Sequence, residues 1–599
     1  MPLTHTALLA FDSRLERSVA RTMAVGLNWC FLASYRTLRQ PKSERAQMDQ
    51  TSNSGPDERH FDIAQHWAME LTRRRSVTGT SGEVDFAEWL AHRLMESDCF
   101  GIRRDVWTFP VADGDARQCV AMLLRRGGRR TVILTGHYDT VSIDDYGDLS
   151  DLATEPQELA VAMRQRLANP TTAAAQRAES DLAANAFLPG RGLLDMKAGL
   201  AAGLSAIAAL ATEASGSGNV LFIAVPDEEN GSAGARRAAQ LLPEIALRHD
   251  LDIAAVINLD AIADDQEGHD GRVIALGTVG KLLPTALVIG TPAHSGFPFN
   301  GINAGALAAA IAARVEWAEE LTETLSTGAG APPSLLSLRD GKTSYDVTTP
   351  ATAFAYFNVL TYRRTPIEVL TRFDALCAEA LAQALGELRA RAVGIAGTKD
   401  APLLPGSIPI YNYEDVAAAA RKRQPGNDTL MTEKARTLAT QHLSLPESCR
   451  LMTEHAWRLS GLAGPAVVTG FGSVPYLSTQ LSSRDNARHL RTVAVRAARH
   501  SEARYGCVVR CVDYFAGISD MSFFGEADES NLNVVGRNTP LWEQVVRWPG
   551  SDGIANVPTI NIGPWGRDYH TPLERLHTGY AFDILPRLLA DVVSDVLNG

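Results

Sequence analysis

Apolar and polar positions change period several times along the chain, and each change marks an element. Phe86, Leu90 and Leu94 recur at helical spacing, so Glu83 to Asp98 reads as an amphipathic helix, as does 61–74 before it. The polar run 76–83 between them reads as a loop. The pattern then turns continuous. TVILTG (131–136), NVLFIAV (219–225) and IAAVINLD (253–260) are short and almost wholly apolar, as strands covered on both faces are. Helical segments separate them, including one that opens at GRGLLDMKAG (190–199) and runs to about Ala214. Strands alternating with helices predict a parallel core sheet with helices on both faces. In such sheets ligands gather beyond the carboxyl ends of the strands. His137, Asp139, Glu228, Glu229 and Asp260 all fall there.

After residue 270 the rhythm differs. RVIALGT (272–278) and TALVIGT (285–291) read as a strand hairpin, followed by an alanine-rich helix (303–324), a strand in ATAFAYFNVLTYR (351–363) and a helix (366–392). That order predicts a small α+β unit inserted into the larger domain. AVVTGF (466–471), CVVRCVD (507–513) and PTINIG (558–563) are expected to complete the large sheet. Residues 150–189 read as a mostly helical insertion. The expected division is a poorly ordered extension over 1–56, a main domain formed by 57–270 and 397–599, and the inserted unit over 271–396. A chain of 599 residues exceeds what one core supports.

Bulk properties narrow the function. The net charge of -12 argues against a nucleic-acid partner, which needs a basic face to displace counterions. No apolar run reads as long enough to span a membrane, so no membrane partner is expected. The apolar stretch Met23 to Tyr35 is interrupted and lies too late for a signal peptide. Seven cysteines, an odd number with no CxxC pair, point to a reducing, cytoplasmic setting, and Cys507 and Cys511 read as core packing.

The histidines and acids make one coherent set. A two-metal hydrolytic site needs a bridging carboxylate, imidazole and carboxylate ligands for each ion, and a free carboxylate as base. Adjacent residues at a strand end point in different directions, so of Glu228 and Glu229 one can reach a metal while the other faces water. Residue physics does not say which. Duller readings compete: Asp195 as the N-cap of a helix starting at Met196, His577 in place of His570, and Asp264 or Asp265 in place of Asp260.

Five segments carry a resemblance. TGHYDTV, GRGLLDMKAG, PDEENGSAGA, GTPAHSGFPFNGINA and YHTPLER resemble, in order, the motifs of the M20 family of metallopeptidases and aminoacylases. The resemblance implies an α/β fold, a zinc-peptidase-like mixed sheet with helices on both faces, carrying a ferredoxin-like α+β lid. It also implies two zinc ions, with cobalt or manganese as alternative occupants. His137 would bind one ion and His570 the other, Asp195 would bridge them, and Glu229 and Asp260 would complete the shells. Glu228 would be the general base. Asp139 would hydrogen-bond the His137 imidazole and fix its tautomer. In the lid, His294 would donate to the developing oxyanion, often across a homodimer. Asn303 belongs to the same lid motif, and with Arg363 and Arg364 would hold the substrate.

The stretch between His137 and Asp195 is about twice the family's usual length, so a helical insert is expected to overlie the site and restrict substrate size. The wording of several segments is similar to a branch of the family associated with arginine utilisation. The implied activity is hydrolysis of the amide bond of an N-acyl amino acid or short peptide by a dizinc-activated water, in arginine or amino-acid breakdown. The competing reading is a member that kept the fold and binds a small ligand without turnover. GISDMSFFG (517–525) is not a nucleophile elbow, because Met521 stands where a glycine is needed. GTVGK (277–281) lacks the spacing of a phosphate loop.

Overall fold

The computed structural model describes residues 56–599 apart from 214–215, 265, 267, 326–327, 398–403, 442, 516, 527–528, 547 and 549–554. Of the extension expected over 1–56, residues 1–55, with Met23 to Tyr35, lie outside the described residues, as does Asp265; residue 56 already belongs to the first helix.

The large sheet has eight strands in the spatial order Arg104–Pro110, Gln118–Arg125, Asn219–Val225, Arg130–His137, Asp252–Asn258, Thr559–Asn561, Val273–Ala275 and Arg510–Val512. The pairings from Asn219–Val225 to Thr559–Asn561 are parallel and the outer ones mostly antiparallel, so the sheet is mixed. Its central strands are mostly apolar because both faces are covered. On one face Val132, Leu134, Val220 and Phe222 pack against the helices Pro56–Arg73, Ala198–Thr212 and Leu585–Leu597. On the other, Ile133, Ile223 and Val256 pack against Ala233–His249. Fully burying each such side chain contributes about 1.5–3 kcal/mol. Leu193–Thr212 is long and apolar enough to cross a membrane, contrary to the sequence reading, but 89% of its most apolar window is buried in this core. Its apolarity is that of a helix sandwiched under a sheet. A Cβ at Gly199 would sit 2.1 Å from the Leu259 carbonyl oxygen, so the helix approaches the sheet as closely as it does only with glycine there.

A second sheet carries the lid, in the order Gly280–Leu282, Thr352–Thr361, Pro284–Ile289, Ala466–Phe471 and Ile410–Asn412, with Ser334–Asp340 also paired to Thr352–Thr361. The helices Ala304–Val315 and Pro366–Ala396 pack together on one face of it, giving the expected α+β layer. Three expectations are corrected here. Residues 272–278 and 285–291 form no hairpin: Val273–Ala275 pairs in the large sheet, and the lid begins only after it. Ala466–Phe471 does not return to the large sheet but runs antiparallel to Pro284–Ile289. Short apolar strands fit either core equally well, so their composition could not assign them. The alanine-rich helix also stops at Val315, well before 324.

Candidate metal centre

Three neighbouring parallel strands deliver the first residues. His137 ends Arg130–His137 and pairs with Val225, after which the chain turns to Glu228 and Glu229; Asp260 follows Asp252–Asn258 on the other side. Asp195 arrives on the loop before Ala198–Thr212. Gly192 opens that loop with φ +73, and a Cβ there would meet the Thr140 methyl at 2.3 Å, so the turn requires glycine. His570 comes from the tip of a hairpin made by Trp565–Arg567 and Arg575–His577.

Asp195 divides its two oxygens between the two histidines. Its Oδ1 lies 3.1 Å from His137 Nε2 and its Oδ2 3.2 Å from His570 Nε2. Glu229 Oε1 is 3.2 Å from the same His570 nitrogen, and Asp260 Oδ1 is 3.9 Å from His137 Nε2. Two groups result, His137–Asp195–Asp260 and Asp195–Glu229–His570, and within each group the donor atoms lie within 4.8 Å of one another. Ligands held at about 2.0–2.2 Å around one tetrahedral ion are separated by roughly 3.3–3.6 Å. The donor types and spacings therefore fit two cations that share Asp195. Glu228 belongs to neither group; its Oε2 lies 3.9 Å from His137 Nε2, and it lines the cleft.

The electrostatics follow from crowding. Burial disfavours charge on Asp195, yet hydrogen bonds from His137 and His570 hold its carboxyl below the usual range. Burial raises Glu228 well above the ordinary glutamate value; His137 opposes this, and the charges of Asp520, Asp260 and Glu229 add to it. Burial and the nearby Asp195 push Asp260 up to about 8. Burial works against a charged His570, but Asp195 and Glu229 raise it to about 10.

Asp139 sits where expected but acts differently. Its backbone carbonyl, not its carboxylate, accepts from His137 Nδ1 at 3.1 Å; the carboxylate is 3.6 Å from that nitrogen. Instead the carboxylate accepts from the backbone amides of Glu228 and Glu229 at 3.1 and 3.3 Å and from Thr78 Oγ1 at 2.8 Å. It thereby fixes the turn that aims both glutamates. Asp195 is not an N-cap, because the regular helix begins at Ala198 and the side chain faces the histidines. The rivals have other work. Asp264 accepts from the amides of its own loop at Gln266 and Asp270. His577 stacks on Trp565 at 4.5 Å and its Nδ1 accepts from the Tyr580 amide. Cys507 and Cys511 are free and half-buried, packed against the core of the large sheet as expected.

The cleft in front of the cluster encloses about 410 Å³. Asn358 and Leu360 of the lid strand Thr352–Thr361 line it, and so does Lys281, which pairs across from Leu360. Tyr476 and Tyr569 also line it, and Lys281 Nζ lies 4.8 Å from the Tyr476 ring centroid. Lys281 is the one lysine or arginine among the described lining residues. Sequence reasoning missed these. Lys281 stood in plain view in GTVGK and Tyr569 beside His570, but nothing in the sequence pointed either toward a cleft.

Four expected lid residues are not brought to this cleft. His294 is exposed, with its Nδ1 accepting from the Gly296 amide. Asn303 caps Ala304–Val315, its side chain accepting from Gly305 and Ala306. Arg363 is exposed, and Arg364 donates to the Thr322 carbonyl. None of the four is among the residues that line the cleft. The insert is corrected too: no described residue of 150–189 lines the cleft.

Residues 170–473 match Peptidase family M20/M25/M40, a span that includes Asp195, Glu228, Glu229 and Asp260. Two proteins of Bacillus subtilis are each 29% identical: the uncharacterised YqjN over 532 residues, 88% of this chain and 95% of its own length, and RocB over 540 residues, 88% and 94%. Among solved structures, a tripeptidase from Staphylococcus aureus is similar with a TM-score of 0.48 and 15% identity, covering 90% of this chain and 99% of its own. More than half of the chain thus carries the family's pattern, and the chain belongs to the M20/M25/M40 peptidase family as a metallohydrolase.

Proposed function

We propose that the chain hydrolyses the amide bond of an N-acyl amino acid or short peptide, with two zinc ions held by His137, Asp195 and Asp260 on one side and by Asp195, Glu229 and His570 on the other. The observation that carries this reading is the division of the Asp195 oxygens between two imidazoles. When bound, such a pair of ions supplies Lewis acidity toward the scissile carbonyl and a nucleophile from water at neutral pH. Glu228 is the proposed base: it takes the proton from the attacking water and passes it to the leaving amine. Burial raises its affinity for protons, which suits a group that holds the proton between the two transfers. Asp139 orients Glu228 through the backbone.

Lys281 is the proposed anchor for a substrate carboxylate, a role the sequence reading gave to Arg363 and Arg364. Its place as the one lysine or arginine among the described residues lining the cleft supports this. The proposed homodimer through the lid would bring His294 and Asn303 of one protomer toward the other's cleft. Arginine or amino-acid breakdown is the proposed setting, on the motif resemblance alone. A free carboxylate facing the cleft favours turnover over silent binding.

Glu228→Gln tests the reading. Removing only the proton acceptor is expected to lower kcat by about 10²–10⁴-fold while zinc content stays at the wild-type level. The assay is a panel of acyl-amino acids and dipeptides, with elemental analysis of the same samples. Wild-type turnover in the variant would remove Glu228 from the base role.

A further inference from the structure

The hairpin that carries His570 has an unusual base. Arg567 and Arg575 stand directly opposite each other across its two strands, and both are buried, Arg575 completely. Like charges in that register repel, and burial strips away the water that would screen them. One carboxylate lies between them, and it comes from the insert. Asp181, in the helix Ala173–Ala183, accepts from Arg567 Nη1 through both oxygens at 2.8 Å and from Arg575 Nε at 2.7 Å, with Arg575 Nη2 at 2.6 Å. Asp568, inside the hairpin loop, takes Arg575 Nη1 at 2.6 Å.

The same insert grips the hairpin twice more. Its last strand, Phe187–Pro189, pairs with Arg575–His577, and the Phe187 ring lies 5.1 Å below the Arg567 guanidinium. The far side of the loop is fixed by Glu574, which accepts from Arg191 at 2.7 Å and from the Gly192 amide at 2.9 Å, tying it to the loop of Asp195. His570 itself has φ +61, and Asp568 φ +54. A non-glycine residue holds that conformation only when its surroundings impose it.

We infer that Asp181 is a positioning residue for His570: the insert braces the hairpin so that the imidazole is presented to Asp195 and Glu229. The inference rests on the two-metal reading above. It gives the insert a role other than covering the cleft. It also makes the two metal positions unequal in their dependence on the insert. The His137 side hangs on the central sheet, which Asp181 does not touch.

The test is zinc binding by full-length Asp181→Asn, followed by titration with a chromogenic chelator, with hydrogen exchange of the 565–577 backbone measured on the same protein. The expected result is a loss of about tenfold or more in affinity for one zinc, under twofold for the other, and faster exchange confined to that hairpin. Asp181→Glu should recover part of the affinity. Asp181→Asn/Arg567→Gln should also recover part, because one buried arginine no longer faces another. Asp148→Asn, at an exposed position just before the insert, should match wild type. Equal weakening of both zincs with a general drop in Tm, or no weakening at all, would overturn the inference. If Asp181→Asn alone fails to fold, the double variant and Asp181→Glu decide it by the same asymmetry. A wild-type chain that binds no zinc would instead contradict the proposed function, and the exchange data would still judge the brace.

Discussion

His137 and His570 face the same aspartate from opposite kinds of structure. His137 closes a central parallel strand, is 1% exposed, and has its Nδ1 satisfied by a backbone carbonyl from the next turn. His570 sits at the tip of a hairpin with its side chain 42% exposed, in a left-handed conformation, and is held through ion pairs to a peripheral helix. One pole is fixed by the sheet's hydrogen-bond ladder and core. The other is fixed by buried charge. The comparison teaches that a symmetric-looking ligand set can rest on unequal supports, so its two halves should fail differently.

The largest test of that asymmetry is to remove each pole in turn. His137→Ala is expected to cost at least about a hundredfold in zinc affinity, more than the 10–100-fold typical of losing an outer partner, and to lower Tm as well. Its ring is packed in the core, and its loss leaves the Asp139 carbonyl unpaired. His570→Ala is expected to release one zinc while the other stays bound and Tm in the metal-free state changes by no more than a degree or two. Elemental analysis after chelator titration, with thermal melts of the apo forms, separates these outcomes. Equal losses would erase the distinction.

A smaller effect concerns protons. Raised His137 and His570 and an Asp260 near 8 mean that the cluster holds protons at pH 7 when no cation competes. Metal binding requires neutral imidazole and ionised carboxylate, so uptake must release them. The sign follows: zinc affinity rises with pH, by about one to two log units per pH unit between 6 and 8. Calorimetry in two buffers of different ionisation enthalpy measures the protons released. No proton release would mean the imidazoles are already neutral.

The strand-end half of this arrangement was legible in the sequence. Apolar runs ending in HYDT, PDEEN and NLD place His137, Glu228, Glu229 and Asp260 on one sheet edge by topology alone. Motif resemblance then added Asp195 and His570, which arrive on loops that no periodicity locates. The lid half was not legible. Strands such as 273–275 and 466–471 are equally apolar in either sheet, and only pairing assigns them. Lys281, Asn358 and Asp181 owe their importance to contacts across long sequence separations. Asp181 meets Arg567 and Arg575 more than 380 positions away. A lone aspartate in an alanine-rich helix gives no hint of such a partner.

Two cations joined by Asp195 between His137 and His570 are the proposed heart of the site. Anomalous diffraction from zinc-loaded crystals, collected on both sides of the zinc absorption edge, tests this most directly. Two peaks of comparable strength are expected about 3.5–4 Å apart, one on each side of the Asp195 carboxylate. A single peak, or zinc bound away from Asp195, would contradict it.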